Sequence, residues 1–405
     1  MPAQPDIAVI GAGVIGVTAA FALQREGCRV TLYDRTGIAA EASRGNAGAF
    51  AFSDVEPLAT PRIMRKAPRW LLDPLGPLSI PPGYALQILP WMLRFWRSSW
   101  RDRYAIGVRQ QAALMVESAT ALAALVRQTG AESLLRREGQ LQLYDNATSF
   151  RASEPAWELR RRHGIRFERL DDADAIAAIQ PGLAPTFRFA VHTPDWINVS
   201  DPLAWVEHLA GHVLAGDASL TIADVNALIP RSDRVELEIQ PAGDATTTRV
   251  AHDQVVVAAG AWSHRLARTL GERIPLETER GYNTTLPAGA FDLRTHLTFD
   301  DHGFVVTRIN DGVRVGGAVE LGGLERPPDY RRADAMLDKA QRFLPSLNTS
   351  GGTQWMGYRP SMPDSLPVIR RARRCERVIY AFGHGHLGLT QSAGTAERVA
   401  ALCLP

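Results

Sequence analysis

A mixed α/β (α+β) fold is predicted, in which a parallel βαβ unit opens the chain and a large mixed or antiparallel sheet is interleaved with it. Three stretches carry the prediction. Residues 6–34, DIAVIGAGVIGVTAAFALQREGCRVTLYD, read as strand, glycine turn, helix and strand. Between residues 219 and 330, short alternating segments are divided by turn residues, the pattern of successive hairpins. The closing stretch RVIYAFGHGHLGLTQSAGTAERVAALC returns to strand, glycine loop and helix.

The chain has 405 residues, enough for two domains. Its 45 Lys and Arg against 43 Asp and Glu leave a formal charge of +2, so no global basic field gathers nucleic acid. Cys28, Cys375 and Cys403 are scattered without metal or disulfide spacing, which fits a reducing compartment. No run approaches the roughly 18 apolar residues of a spanning helix. The first ten residues carry no Lys or Arg, so their apolar character reads as buried structure and not as a signal peptide. The expectation is a cytoplasmic protein, with the inner face of the cell membrane as a place it could dock.

In the opening unit each residue type has a physical task. DIAVI is β-branched and apolar, suited to a strand buried on both faces. Gly11 permits the tight turn, Gly13 lets a pyrophosphate approach the backbone, and Gly16 lets the helix pack closely on the strand. The helix N-terminus then points free N–H groups at the phosphates. Asp34 lies 18 residues beyond Gly16, near the roughly 20 expected of a ribose-binding acid, and its charge disfavours a 2′-phosphate. This is a Rossmann dinucleotide site. A nicotinamide enzyme would continue with further βαβ units; instead RTGIAAEASRGNAGAF follows, a small-residue loop suited to a longer cofactor.

Farther along, residues 55–83 hold Pro57, Pro61, Pro68, Pro74, Pro77, Pro81 and Pro82, an ordered excursion between elements. In residues 84–104, Leu89, Leu93, Trp96 and Trp100 share one helical face among Arg94, Arg97, Arg101 and Arg103. A core-facing helix with a solvated basic side is expected; turned outward, the same stripe would be a peripheral membrane or partner-subunit contact. Asp201 and Pro202 read as N-cap and first residue of a helix. LTIADVNALI, RVELEIQ and RVAHDQVVVAAG form a strand meander, and NDG at 310–312 reads as a hairpin turn.

The opening unit, SRGNAGAF, GYRPSMPDSLPVI and GHGHLGLTQSAGT together resemble the D-amino-acid oxidase-like FAD oxidoreductases, most closely the small-subunit type of D-amino-acid dehydrogenase. The resemblance runs in order over nearly the whole chain. It implies a glutathione-reductase-like FAD-binding domain (1–85, 150–180, 200–272 and 355–405) interleaved with a substrate domain on a large mixed sheet (86–149, 181–199 and 273–354). It also implies roles. Gly11, Gly13, Val14, Ile15 and Gly16, with Asp34 and Arg35, match the ADP-binding unit. Ser43, Arg44, Asn46, Ala47 and Gly48 match the loop along the ribityl chain, and Val225 the position whose backbone meets the adenine. Ala259, Gly260 and Trp262 match the end of the buried strand by the pyrophosphate. Gly383, Gly385, His386, Leu387, Gly388, Leu389 and Thr390 match the loop and helix start beside the flavin pyrimidine ring.

Arg359 matches the arginine that holds the substrate carboxylate, a task for which a planar guanidinium is chemically suited. Tyr282 matches a substrate-contacting tyrosine, Tyr358 is a second candidate beside the anchor, and His384 and His386 are candidate bases. With no cysteine in the C-terminal glycine loop, the FAD is expected to be non-covalent. The implied reaction is oxidative deamination of D-amino acids or D-proline-like cyclic amines by hydride transfer from the α-carbon to flavin N5. Electrons would pass to a quinone or respiratory carrier. A glycine- or sarcosine-type oxidase using oxygen, a flavin-carrying subunit of a larger dehydrogenase and a nicotinamide-linked dehydrogenase are the alternatives. No metal is expected.

Overall fold

The computed structural model describes residues 4–61, 63 and 78–404. Pro68, Pro74 and Pro77 lie outside the described residues.

Strand β1 (Asp6–Ile10) runs parallel to β2 (Arg29–Asp34), and helix α1 (Val14–Arg25) connects them. The helix starts after Gly13, whose extended backbone begins the turn, and stops where Gly27 takes φ +82°. Its alanines let it lie against the C-terminal helix Gly388–Cys403 and the helix Pro202–Ala215, all burying side chains in one core over the sheet. Asp201 does cap that second helix, accepting from Leu203 N at 2.8 Å.

An eight-stranded sheet grows outward from this unit. On one side of β1 and β2 lie the meander strands Ser219–Pro230, Val235–Pro241 and Thr248–His252; on the other lie Gln254–Val257, Val378–Phe382 and Val368–Arg371. The first and last parts of the chain therefore meet in one parallel centre. A second, nine-stranded sheet is mainly antiparallel. It runs from Thr353–Ser361 through Glu277–Leu286, Gly312–Leu321, Phe304–Ile309 and His296–Phe299 to the strands Gln140–Tyr144, Phe189–Thr193 and Glu168–Leu170, with Leu78–Ser79 as the ninth, paired to Gly312–Leu321. The hairpin at Asn310 is present, with φ +52° at that residue.

Several segments sit elsewhere than the sequence partition puts them. Glu168–Leu170 pairs with Phe189–Thr193, so residues 150–180 join the second sheet and not the cofactor layer. Helix Arg101–Thr129 buries Leu122, Leu125 and Val126 in the core around α1, so it belongs with the cofactor layer. Gly394 is where the C-terminal helix meets it: a Cβ there would stand 2.4 Å from Ser118 Oγ. Strand Thr353–Ser361 pairs along its whole length with Glu277–Leu286 and so lies in the second sheet. These placements depend on long-range strand pairing and helix packing, which local pattern does not encode.

Helix Ala85–Ser98 reverses the expected orientation. Ile88 and Trp91 face inward against Leu321, whereas Leu89, Leu93, Trp96 and Trp100 of the stripe are exposed. Among the described residues no helix is long and apolar enough to cross a membrane.

Candidate active site

A cavity of about 650 Å³ runs between the two sheets, from the glycine turn after β1 to the strand bearing Arg359. That is within the range of small-molecule sites. At one end is the glycine cradle. Gly11 has φ +107°, and a Cβ on it would approach Ala258 O to 2.3 Å. A Cβ on Gly16 would stand 1.8 Å from Gly11 O, so helix and turn touch backbone to backbone. Asp34 is tied into this turn: its Oδ2 accepts from Ala12 N at 2.8 Å and its Oδ1 from Thr36 N and Gly37 N, both at 2.9 Å. It lines the cavity with Arg35, whose guanidinium pairs with Glu41 and lies 3.6 Å from the Trp262 ring centre.

The loop expected along the cofactor is held from three sides. Ser43 Oγ accepts from Val14 N at 2.9 Å, placing a hydroxyl at the mouth of α1. Asn46 Oδ1 accepts from Gly48 N at 2.8 Å. Arg314 donates to the carbonyls of Arg44 and Asn46 and to Thr285 Oγ1; burial lowers its pKa to about 10. Ala47, Ile15 and Val225 line the cavity, and a β-bulge follows Val225. Gly48, a residue of the same loop, has φ +75°.

At the other end the C-terminal strand delivers Gly383 at φ +90° and Gly385 at φ +56°, and the helix Gly388–Cys403 begins at the cavity wall. Two helix N-termini, at Val14 and Gly388, thus aim their positive ends into one cavity. Leu387, Leu389, Ala259 and Gly260 line the cavity. Thr390 also lines it, but its hydroxyl is engaged in the scaffold, donating to Ala49 O and accepting from Ala51 N. Gln140 Oε1, Asn283 Oδ1 and His296 Nδ1 are buried on lining residues without a partner among the described residues. A cradle of this shape, with free N–H groups at both ends and orphaned polar atoms between, fits a long anionic dinucleotide cofactor.

Arg359 is half-buried on the strand Thr353–Ser361, directly opposite Glu279. Its guanidinium lies over the bare backbone of Gly281, where an added Cβ would come within 2.4 Å of Cζ. It donates to Ala318 O at 3.2 Å, and among the described residues no carboxylate lies within ion-pair distance of it. Desolvation lowers its pKa. This is a cation at the cavity that makes no ion pair among the described residues, with Glu279 acting on it only through space, which separates it from a structural salt bridge.

Tyr282, Tyr358 and His384 line the same cavity as Arg359, each with an internal partner. Tyr282 follows Gly281 at an irregularity in the pairing with Gly312–Leu321. Its hydroxyl donates to Glu320 Oε2 at 2.5 Å and accepts from Asp329 N at 3.2 Å, and burial pushes its pKa up to about 12. Arg280, fully buried, shares Glu320 at 3.2 Å. Tyr358 meets Trp262, another lining residue, edge-on at 5.4 Å. His384 is buried, hydrogen-bonded to Thr395 Oγ1 at 2.9 Å, with its pKa lowered by burial to about 3. His386 also lines the cavity and is the more exposed of the two.

Sequence reading passed over Glu279, Gly281, Arg314 and Trp355. Trp355 lies across the glycines at 45 and 357: a Cβ on either would fall within 2 Å of its ring. The period-2 alternation Glu279, Gly281, Asn283 was available in the sequence. Which face it presents followed only from pairing with the strand of Arg359.

Cradle, helix ends and cavity define a dinucleotide-binding oxidoreductase of Rossmann type. The chain belongs to the FAD dependent oxidoreductase family (DAO), which it matches over residues 6–402, and FAD is accordingly its cofactor. It is 36% identical to a D-amino-acid oxidase of Bradyrhizobium diazoefficiens, over 99% of this chain and 96% of that one. It is 32% identical to a D-amino acid dehydrogenase of Sinorhizobium medicae, over 98% and 95%. Among solved structures, glycine oxidase from Geobacillus kaustophilus superposes with a TM-score of 0.75 at 19% identity, covering 99% of this chain and 94% of that one. L-Proline dehydrogenase from P. horikoshii gives 0.73 at 18%, covering 99% and 94%. The two structures share the fold.

Proposed function

We propose that the protein oxidises amino acids, D-amino acids or D-proline-like ring amines first, at the carbon bearing the amine. The observation that carries this reading is Arg359: a cation at the cavity, in no ion pair among the described residues, at the end of a cradle for FAD. Relatives with D-amino-acid activity in their names, aligned over nearly the full chain, support the substrate class.

Bound FAD would accept two electrons from the amine-bearing carbon, leaving an imine that water hydrolyses to a 2-oxo acid and ammonia, or a cyclic imine where the substrate is a ring amine. The residues of the chain do the rest. Gly11, Gly13 and the N-terminus of α1 would hold the pyrophosphate, with Asp34 toward the ribose. The helix beginning at Gly388 would stabilise negative charge at the flavin end. Arg359 fixes the substrate carboxylate through two parallel hydrogen bonds and so sets whether the single α-hydrogen of one enantiomer faces the cofactor. Neither His384 nor Tyr282 is free to take a proton, so deprotonation of the amine falls to other groups or to water.

Anaerobic mixing of the yellow protein with D-, L- and N-methyl amino acids tests the reading: D-amino acids bleach the flavin fastest. A preference for glycine or sarcosine would move it to the amine-oxidase alternative, and bleaching by none would leave a flavin-carrying subunit. Electrons are proposed to leave to a quinone at the membrane, for which the outward Leu89, Leu93, Trp96 and Trp100 beside arginines offer a docking face. Slow reoxidation in air supports this, whereas rapid peroxide release identifies an oxidase.

A further inference from the structure

Glu279 is unexplained by anything above. It is 5% exposed, lines the cavity and stands directly opposite Arg359 in the antiparallel pair. Side chains so opposed project from the same face about 5 Å apart at Cβ. Yet the two do not pair: the Arg359 guanidinium is drawn away over Gly281 toward Ala318 O. Among the described residues Glu279 accepts no hydrogen bond and makes no ion pair. A carboxylate taken out of water without a partner costs several kcal/mol. Its neighbour Glu277, on the same face, is by contrast held by the Tyr84 hydroxyl at 3.1 Å. Among the described residues, a cation and an anion, neither in an ion pair, therefore stand side by side in the cavity. FAD offers Glu279 no cation. A plain carboxylate on Arg359 would be repelled by Glu279.

We propose that Glu279 seats the α-ammonium of the substrate and forms with Arg359 a two-point clamp that selects zwitterionic α-amino acids over carboxylates lacking the amine. The clamp rests on the reading of this cavity as an amino-acid site. Both charges of an α-amino acid hang on one Cα, so anchoring both fixes that carbon and leaves only its hydrogen and side chain to be arranged by chirality. Glu279 is a specificity residue here, and Arg359 is its complement.

The test uses Glu279→Gln and Glu279→Asp in the FAD-loaded protein. Binding of D-alanine, D-proline and propionate is followed by calorimetry and by perturbation of the flavin spectrum, before any turnover is measured. Expected is loss of D-amino-acid affinity by about tenfold or more in the Gln variant, the scale of one charge-assisted hydrogen bond. Propionate binding is unchanged or tighter there, and the Asp variant recovers part of the zwitterion affinity. Zwitterion affinity within twofold of wild type in Glu279→Gln overturns the clamp, as does parallel loss of propionate or of flavin, which marks a scaffold or cofactor role. Wild-type protein that binds neither zwitterion also overturns it. Failure of the functional reading looks different: zwitterions bind through Glu279 but no amino acid bleaches the flavin.

Discussion

Replacing Arg359 with alanine separates a substrate anchor from a structural cation. The guanidinium has one internal hydrogen bond, 3.2 Å to Ala318 O, and no carboxylate within ion-pair distance among the described residues. Removing it breaks no internal salt bridge, and its desolvation cost disappears. Breaking a buried pair would destabilise by about 3–5 kcal/mol. Here the fold should change by about 1 kcal/mol or less. Substrate binding is another matter. Truncating one side of a buried charge pair costs about 2–5 kcal/mol, so about 3 kcal/mol is a fair centre, roughly a hundredfold in kcat/KM. Arg359→Lys keeps the charge but loses the parallel pair of hydrogen bonds and should fall between. The assay is anaerobic stopped-flow reduction of the flavin, with thermal unfolding and flavin content measured on the same preparations. Reduction kinetics within threefold of wild type would refute the anchor. So would a fall in stability large enough to explain the loss.

Gly281→Ala should push the guanidinium aside, because the new Cβ falls 2.4 Å from Cζ, the movable end of a side chain. Flavin content and unfolding temperature should hold while KM rises about tenfold, the scale of one lost charge-assisted hydrogen bond. Tyr282→Phe should leave flavin reduction unchanged and cost about 1.5–3 kcal/mol in denaturant unfolding, the range for a hydrogen bond to a charged group. Acid should destabilise the protein through His296 and His384, both held by burial at a pKa of about 3. Their unfolded pKa is near 6.5, so the unfolded state gains protons first as pH falls, and stability present above about pH 6.5 drains away toward pH 3. At pH 5 each contributes a loss of about 2 kcal/mol, and His296→Asn should flatten the fall in unfolding temperature between pH 7 and pH 5.

The cofactor half of the molecule was legible because its demands are local. The glycines at 11, 13 and 16 and the acid at 34 must fall at fixed spacings along one βαβ unit, and the backbone contacts at Gly11 and Gly16 are the reason. The C-terminal glycine loop is equally local. The substrate wall was only half legible. Arg359 stood out by motif, but its partners are set by the register of two strands nearly 80 residues apart in the chain. Tyr282 lines the cavity beside Gly281, but its hydroxyl is taken up by Glu320 and Asp329, 38 and 47 residues farther along the chain. His384 looked free between glycines, and only the packed helix behind it reveals Thr395 as its partner. The helix at 85–98 turned its stripe outward because Ile88 and Trp91, off that stripe, meet Leu321.

The central claim is that FAD lies in the cavity with an amino acid held beside it by Arg359. Anaerobic titration of the purified flavoprotein with a D-amino acid panel, with wild type and Arg359→Ala run together, tests it most directly. The account predicts bleaching of the wild-type flavin by at least one D-amino acid and roughly hundredfold slower bleaching in the variant. A flavin that no amino acid reduces, or that the variant reduces as readily as wild type, would contradict it.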